Sequence, residues 1–438
     1  MPDLDEYLAK ITRAADDLSL RQNPSPYAIA LTDSIAHVRE HDWDSVVGPH
    51  RVFLGRRYLA AVERAKPPRM SFRYAVIYDG PNAVAVAAYQ VMAVALDAFS
   101  SRAPVAKPDD ASLRSTLREV RRNVVRTVGD ALGDTGAQRL LIGGNGLVTG
   151  EHGFAVADGA DPTLAVQGLA DATYRIRRAE KLRGAVASVL IKDFHDRSRP
   201  HADELLRFGY HAFAVDPNMS VVLPATWRSF DDYLAAMTAK YRRKVKDARK
   251  KAKALHATRL TRDEIEANAG VLYRLYQAVH DKAKFRLANP GPDYFPSMAA
   301  ALGDDFVVRA YRLDDAIVGC SIAIGGPTEL EAHMVGLDYE HNVPHGVYQN
   351  ALYDFIEDGL SRGATQVSMG RTALEIKSSI GATPQPVTCY MRHSNPLGNR
   401  LIAPLVAQIA PDEWAPRSPF KESEAPAGEA GPPTSGGD

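Results

Sequence analysis

The sequence predicts an α/β (α+β) chain of two tandem domains, each a mixed, mostly antiparallel sheet flanked by helices. Three observations carry that expectation. At 438 residues the chain exceeds what one hydrophobic core usually supports, so two domains of roughly 200 residues each are the default. Short apolar runs separated by Asp-Gly, Asp-Asp and Gly-Gly-Pro read as hairpins and meanders. Between them stand segments with apolar residues at every third or fourth position, the mark of amphipathic helices.

Composition narrows the class. Hydrophobic residues at 45% and charged residues at 24% are near globular averages, which sets aside disordered and fibrous proteins. The formal net charge of zero argues against a protein that coats nucleic acid. No window approaches the roughly 18 consecutive apolar residues of a membrane span. The start MPDLDEYLAKI has neither a basic n-region nor an apolar h-region, so a cytoplasmic location is expected. Cys320 and Cys389 sit in apolar strand-like runs, where buried free thiols are common, and fit a reducing compartment. No cluster of His, Cys or carboxylates has ligand spacing, so no metal is expected.

Taken in order, Leu4 to Leu20 reads as a helix, Tyr27 to Thr32 as a strand, and Trp43 with Phe53 to Ala65 as a second helix. Phe72 to Tyr78 and Ala83 to Val94 form a hairpin about the turn Asp79-Gly80-Pro81-Asn82. Asp110 caps a long helix with Leu113, Leu117, Val120, Val124, Val128 and Leu132 on one side and a basic face on the other. Arg139 to Gly153 runs from a strand into a glycine-rich turn that lacks phosphate-loop spacing, so tight turning explains its glycines best. His152 is its one titratable group of interest. Asp161 to Leu182 is helical, Ala185 to Ile191 a strand, and Ala202 to Phe208 a short helix. Ala212 to Val215 and Ser220 to Leu223 read as a strand pair about Asp216-Pro217-Asn218.

Phe230 to Leu255 is read as one helix of about seven turns. Phe230, Leu234, Met237, Tyr241, Val245, Ala248, Ala252 and Leu255 form its inner stripe. Its outer face carries Lys240, Arg242, Arg243, Lys244, Lys246, Arg249, Lys250, Lys251 and Lys253, opposed by Asp247. Like charges stacked at i,i+4 repel, a cost that an anionic partner would relieve; a solvated basic face is the plainer reading. Ile265 to Ala283 and Pro292 to Leu302 hold helices, and Phe306 to Leu313, Ile317 to Ile324 and Leu330 to Leu337 make a meander. Gly346 to Leu360 is a helix, Gln366 to Met369 a strand, Leu374 to Ile380 a short helix and Val387 to His393 the last strand. From about Trp414 the chain is poor in apolar residues, and disorder is expected over 413–438.

The segments from Gly168 and Gly346 share one layout: helix, Arg-Gly-Ala, short apolar strand. They read as two copies of one unit, in domains at 1–200 and 201–412. At this point the chain resembles the GNAT N-acyltransferase superfamily, within it the double-domain group related to Fem-type aminoacyltransferases and BioF2-like acetyltransferases. YRRKVKDARKKAKAL (Tyr241 to Leu255), HMVGLDYEHNVPHGVYQNALYDFIEDGLSRGA (His333 to Ala364) and SMGRTALEIKSSIGATP (Ser368 to Pro384) carry the resemblance, which spans roughly the second half.

The resemblance implies two tandem GNAT-like domains, with the site in the second, and amide formation from an activated acyl donor to an amine of a small molecule or peptide. The donor is acyl-CoA, or aminoacyl-tRNA as in Fem-type relatives. It would lie along the strand from His333 to Leu337, its phosphates or adenosine end near His345, Gly346, Val347 and Tyr348, with Tyr241, Arg242 and Arg243 close by. Amide formation needs a base for the amine and donors for the oxyanion. His333 is a candidate base, though a lone strand histidine is more often a satisfied core residue. Glu375 and Lys377 are further catalytic candidates, but at i,i+2 they point to different sides. Arg371, at the carboxyl end of a strand, suits an anionic substrate group or the donor's phosphate. Tyr390 and His152 are candidate substrate-binding residues. A non-catalytic nucleic-acid-binding module built on the basic helix is the reading from another class.

Overall fold

The computed structural model describes residues 25–94, 138–283, 288–407, 409–411 and 413–421. The expected helices at Leu4 to Leu20 and after Asp110, and residues 422–438 of the expected tail, lie outside the described residues. Strands β1 (Ala28–Thr32), β2 (Met70–Asp79), β3 (Asn82–Val94), β4 (Gln138–Gly143), β5 (Phe154–Val156), β6 (Val186–His195) and β7 (His211–Ala214) belong to one sheet. Strands β8 (Asn218–Val222), β9 (Leu255–Arg259), β10 (Phe306–Leu313), β11 (Ala316–Gly325), β12 (Glu329–Leu337), β13 (Gln366–Ser368) and β14 (Thr383–Gln385) form a second. The last strand, β15 (Val387–His393), returns to the first sheet and lies between β6 and β7. The orders are β1-β2-β3-β4-β6-β15-β7, with β5 on β3, and β14-β8-β13-β12-β11-β10-β9.

Each sheet is antiparallel except at one pair, β4 with β6 and β12 with β13. A parallel pair needs a crossover, and a helix supplies it in both sheets. Among the helices are α1 (Glu40–Val47), α2 (Arg56–Ala65), α3 (Pro162–Ala179), α4 (Phe230–Ala236), α5 (Ala239–Lys251), α6 (Arg262–Ala267), α7 (Ala269–Lys282), α8 (Tyr294–Leu302), α9 (Tyr339–His345), α10 (Val347–Ser361), α11 (Leu374–Ser378) and α12 (Pro396–Val406). The crossovers are α3 and α10, the two helices that precede Arg-Gly-Ala in the repeat. The repeat visible in sequence is therefore a shared strand–helix–strand unit.

The two halves are joined through their cores. Trp43, Tyr58 and Leu59 from α1 and α2 share one buried cluster with Leu272, Tyr294 and Phe295 from α7 and α8 and with Ile322 and Met334 of the second sheet. Trp43 is fully buried and donates its indole N–H to the Leu54 carbonyl at 2.8 Å, which satisfies its one polar atom.

Three local expectations are corrected. Strands β7 and β8 flank Asp216-Pro217 but do not pair; β7 pairs with β15 and β8 with β13 and β14, so the chain crosses between sheets at that turn. The basic helix is not continuous. A Ser229/Asp232 capping box starts α4, Met237 and Thr238 are extended at ψ 152° and 156°, and α5 begins after them. The apolar spacing survives that break because Met237, Tyr241, Val245 and Ala248 are all buried on one side. Beyond Ala254 the chain enters β9, which pairs with β10. Lastly, residues 413–421 are not a disordered tail. The extended break pairs with them: Met237 bridges to Phe420 and the Thr238 N–H donates to the Pro419 carbonyl at 2.9 Å. Phe420 is buried against Trp227 and Tyr233, ring centroids 5.3 and 5.8 Å away.

Removing that ring leaves a cavity among aromatic side chains. Phe420→Ala is expected to lower stability by about 3 kcal/mol in equilibrium denaturation; an unchanged midpoint would contradict this packing.

Candidate active site between the sheets

The site begins with an irregularity in β12. Ile322 of β11 pairs with Met334 and Ala323 with Ala332, which leaves His333 without a partner. This is a β-bulge, which interrupts the hydrogen-bond ladder and re-aims side chains. On its other edge β12 pairs with β13 only from Glu329 to Glu331. The two strands then part, and the bulge lies just beyond the point of separation.

His333 meets groups from both halves. Its Nε2 is 2.7 Å from the Tyr294 hydroxyl, and its ring centroid lies 6.2 Å from Phe53. The His152 ring is 4.6 Å from Phe53, so the two histidines singled out by sequence both stand against one phenylalanine. Both are uncharged at neutral pH: burial pushes His333 down to about 3 and His152 down to about 4, the latter helped by Lys192. A chain of polar groups runs on from His333. Tyr294 and Tyr58 share a hydrogen bond, and the Asn145 amide donates to the Tyr58 hydroxyl at 3.0 Å. His333 Nδ1 is buried and lacks a protein partner.

Glycines place His152. Gly144 and Gly150 have φ of 143° and 116°, and a Cβ on Gly153 would fall 2.3 Å from the Gly144 Cα. The glycine run is thus a close backbone crossing, as expected of a tight turn.

Beside the bulge lies a buried acid–amine pair. Glu331 and Lys377 are 8% and 5% exposed. Burial pushes Glu331 up to about 8 and Lys377 down to about 7, with each charge partly offsetting the other's shift. Lys377 Nζ donates to the Gly370 carbonyl at 3.2 Å, closing a loop in which Gly370, Thr372 and Ala373 all have positive φ, the last two at 94° and 52°. Left-handed backbone at non-glycine residues stores strain and persists only where surroundings fix it.

That loop is pinned across the junction. Arg371 forms an ion pair with Asp193 of β6, whose other carboxylate oxygen is 2.9 Å from Lys192 Nζ and accepts from the Gly150 N–H at 3.1 Å. Lys192 also donates to the Asn145 and Val148 carbonyls, both at 2.7 Å. Asp193 has no exposed surface and φ of 65°. The two cations overcome its burial and hold its carboxyl well below the usual carboxylate range.

Of the residues singled out in sequence, His333, Lys377, Arg371 and His152 come to this junction. Glu375, on the opposite side of α11 from Lys377, is at the surface and pairs with Arg417 at 2.9 Å. Tyr390 lies in the core under α3, its hydroxyl donating to Asp203 at 2.7 Å. Gly346, at φ 61°, caps α10 between two helices, and the Tyr348 N–H already donates to Asn342 Oδ1 at 2.9 Å. The end of α5 packs there, where Asn350 bonds the Ala248 carbonyl at 3.0 Å. Tyr241 is about 15 Å from Lys251 along that helix. With Arg242, which donates to the Met237 carbonyl at 2.8 Å, and the exposed Arg243, it stands at the end away from Gly346. Sequence reasoning missed Glu331, Asp193, Lys192, Tyr58, Tyr294 and Asn145. Glu331 alone left a trace, a carboxylate two residues from His333 on the same strand.

Among the described residues no group of three His, Cys, Asp or Glu is placed to hold a metal ion, and no helix is long and apolar enough to cross a membrane.

Residues 239–378 match the family model of an acetyltransferase (GNAT) domain. No curated protein matches the chain in sequence. Among solved structures, FemX is 13% identical and aligns over 85% of this chain and 100% of its own, with TM-score 0.51. A tandem GNAT protein from the clavulanic acid biosynthesis pathway, solved without AcCoA, is 11% identical over 84% of this chain and 99% of its own, TM-score 0.46. A GCN5-related N-acetyltransferase from Kribbella flavida is 14% identical over 59% and 82%, TM-score 0.33. Residues 239–378, most of the second sheet and its helices, thus match a GNAT acetyltransferase domain, in a chain whose fold is similar to that of FemX.

Asp193→Asn would leave buried Lys192 and half-buried Arg371 without their shared carboxylate, an expected loss of about 3 kcal/mol in chemical denaturation at pH 7. In the parent protein this contribution, held by a depressed pKa, is present at neutral pH and fades only as pH falls below the ordinary value of 3.8. Equal stability of the two proteins at pH 7 would refute the role.

Proposed function

We propose that this chain, whose residues 239–378 match a GNAT acetyltransferase domain, is an N-acyltransferase that joins an acyl group from an acyl-CoA-type donor to an amine of a small molecule or peptide. The reading rests on one observation: the buried Glu331–Lys377 pair beside the bulge, at the point where β12 and β13 part. A thioester slid between parting strands would bring its carbonyl to the bulge, where main-chain N–H groups are freed from the ladder to receive the oxyanion.

The acceptor arrives as an ammonium ion and must lose a proton before it can attack. Lys377, held near neutrality by burial, is suited to take it. Attack by the amine nitrogen on the carbonyl carbon forms the C–N bond, collapse of the tetrahedral adduct breaks the C–S bond, the amide nitrogen releases its second proton to the carboxylate that Glu331 becomes, and the thiolate takes up a proton. Glu331, still protonated near pH 7, is suited to give it. Neutral His333, fixed by Tyr294, would orient the acceptor, and His152 would close the pocket from the other half. Arg371 serves as a positioning residue through Asp193. Lys250 and Lys251, at the end of α5 beside Gly346, are placed to meet the donor's phosphates; Tyr241, Arg242 and Arg243 lie too far along the helix to share that role.

A second reading takes aminoacyl-tRNA as donor. It is favoured by the outer face of α5 and the turn after it, where Lys240, Arg243, Lys244, Lys246, Lys250, Lys251 and Lys253 are all exposed. Thermal stabilisation by acetyl-CoA that persists at high salt supports the first reading. Stabilisation by bulk tRNA that collapses with salt, without any response to acetyl-CoA, supports the second.

For either donor, kcat/KM should rise with pH as Lys377 loses its proton near 7 and fall as Glu331 loses its own near 8, a narrow bell whose limbs belong to the pair. Lys377→Met should cost about a hundredfold or more in kcat and remove the acid limb. Glu331→Gln should remove the alkaline limb. Full activity of Lys377→Met would reject the assignment.

A further inference from the structure

Three polar side chains decide which nitrogen of His333 carries the proton. They start at Asn145, 4% exposed, whose Oδ1 accepts from the Leu147 N–H at 2.9 Å. A backbone N–H can only donate, so the amide oxygen is fixed on that side and the amide NH2 faces Tyr58, 3.0 Å away. The Tyr58 oxygen is therefore the acceptor at this contact. Its own hydrogen has to go elsewhere, and the neighbour with which it shares a hydrogen bond is Tyr294.

The last links have two possible directions. If Tyr58 donates to Tyr294, then Tyr294 donates to His333 Nε2 across their 2.7 Å contact and the imidazole proton sits on Nδ1. One buried group, the Nδ1–H, then lacks a protein partner. In the reverse order Nε2–H donates to Tyr294 and Tyr294 to Tyr58, which leaves both the Tyr58 hydrogen and the Nδ1 lone pair unpaired. Tyr58 is 1% exposed and Tyr294 has no exposed surface, so water does not relieve either hydroxyl. An unpaired buried donor carries its full desolvation cost, which selects the first direction.

This tautomer has no free lone pair. With Nε2 accepting from Tyr294 and Nδ1 protonated, His333 cannot take a proton from an amine, and the role of base expected of it in sequence is left to Lys377. The ring also stays neutral at pH 7, since burial pushes its pKa down to about 3. What it offers the cleft is one fixed, uncharged N–H, held by a hydrogen-bonded chain that begins in the other half of the protein. An oxygen lone pair can receive that N–H, whereas an ammonium group, which only donates, cannot.

We propose that the His333 Nδ1–H recognises the acceptor by donating to a carbonyl or carboxylate oxygen close to the reacting amine, so that the acceptor is an amino acid or peptide end and not a plain alkylamine. The tautomer stands on its hydrogen bonds alone. Its assignment to the acceptor rests on the acyl-transfer reading, in which main-chain N–H groups of the bulge receive the thioester oxygen. The His333 ring leaves the strand toward Phe53, against which His152 of the other half also stands.

Nitrogen-15 NMR of the full chain labelled at histidine tests both parts. The sequence has 13 histidines, so His333 is assigned as the ring signal missing from His333→Asn. The parent is expected to show the His333 proton on Nδ1 at pH 7. A proton on Nε2 would overturn the tautomer and the proposal with it. Glycinamide, an amine with a neighbouring carbonyl, is expected to shift the Nδ1 resonance, and ethylamine, which lacks that oxygen, to leave it in place. Equal responses to both, or none to glycinamide, would overturn the acceptor class. In transfer from acetyl-CoA, His333→Leu should lower kcat/KM for glycinamide about tenfold more than for ethylamine, the size of one hydrogen bond. His333→Asn, whose amide NH2 stands near the Nδ1 position, should recover part of that difference. An equal loss with both amines would give the N–H to the thioester oxygen and overturn the proposal. The spectra need no acyl donor, so a protein with the Nδ1 proton and the glycinamide response but no transfer would count against the acyl-transfer reading and not against this one.

Discussion

Asp193 makes one carboxylate serve four elements. It faces Lys192 on its own strand, Arg371 on the loop after β13, the Gly150 N–H of the glycine turn, and the Cys389 thiol of β15. A charge with no exposed surface is tolerated only when its environment replaces water, and here every replacement comes from a different part of the chain. The strained Gly370–Ala373 loop, the position of Lys377 and the entry of His152 all follow from that arrangement. Movement of any one of these elements would uncover a buried ion, so the junction between the sheets is held as a unit.

Around this anchor, polarity is graded. On the side of the second sheet, Glu331 and Lys377 are buried without a direct ion pair and their ionisations are pushed toward neutrality. On the side of the first sheet, Lys192 and Asp193 are in contact, and Asp193 keeps its charge. The same burial gives opposite outcomes because contact, not depth, decides whether Coulomb attraction outweighs desolvation. Groups that exchange protons near pH 7 are thus set beside a carboxylate that stays ionised there, a division suited to a site with a fixed frame and a reactive centre.

Much of the fold was legible because its signals are local. The meander, the hairpin at Gly80 and both crossover helices follow from periodicity and turn residues, and Lys377 was singled out through the resemblance carried by Ser368 to Pro384. What was not legible depends on partners distant in sequence. Nothing in Val387 to His393 tells which sheet it joins. The apolar spacing of Phe230 to Leu255 runs unbroken across two extended residues, so it hides the end of one helix and the start of another. Phe420 was overshadowed by the polar composition around it. Asp193 lies just past the run Ala185 to Ile191 with nothing local to mark it, and its weight comes from partners such as Arg371, far along the chain.

The placement of β15 between β6 and β7 bears on how the protein is made. A ribosome delivers β6 about two hundred residues before β15. Until then the first sheet has an open edge at β6, and β7 has no neighbour in that sheet. Such an edge invites pairing with other chains. The order of synthesis therefore favours assembly of the second sheet first, with closure of the older sheet as the concluding event. Folding of the amino-terminal part would be slow and dependent on sequence-distant contacts, although its own helices and hairpin form early.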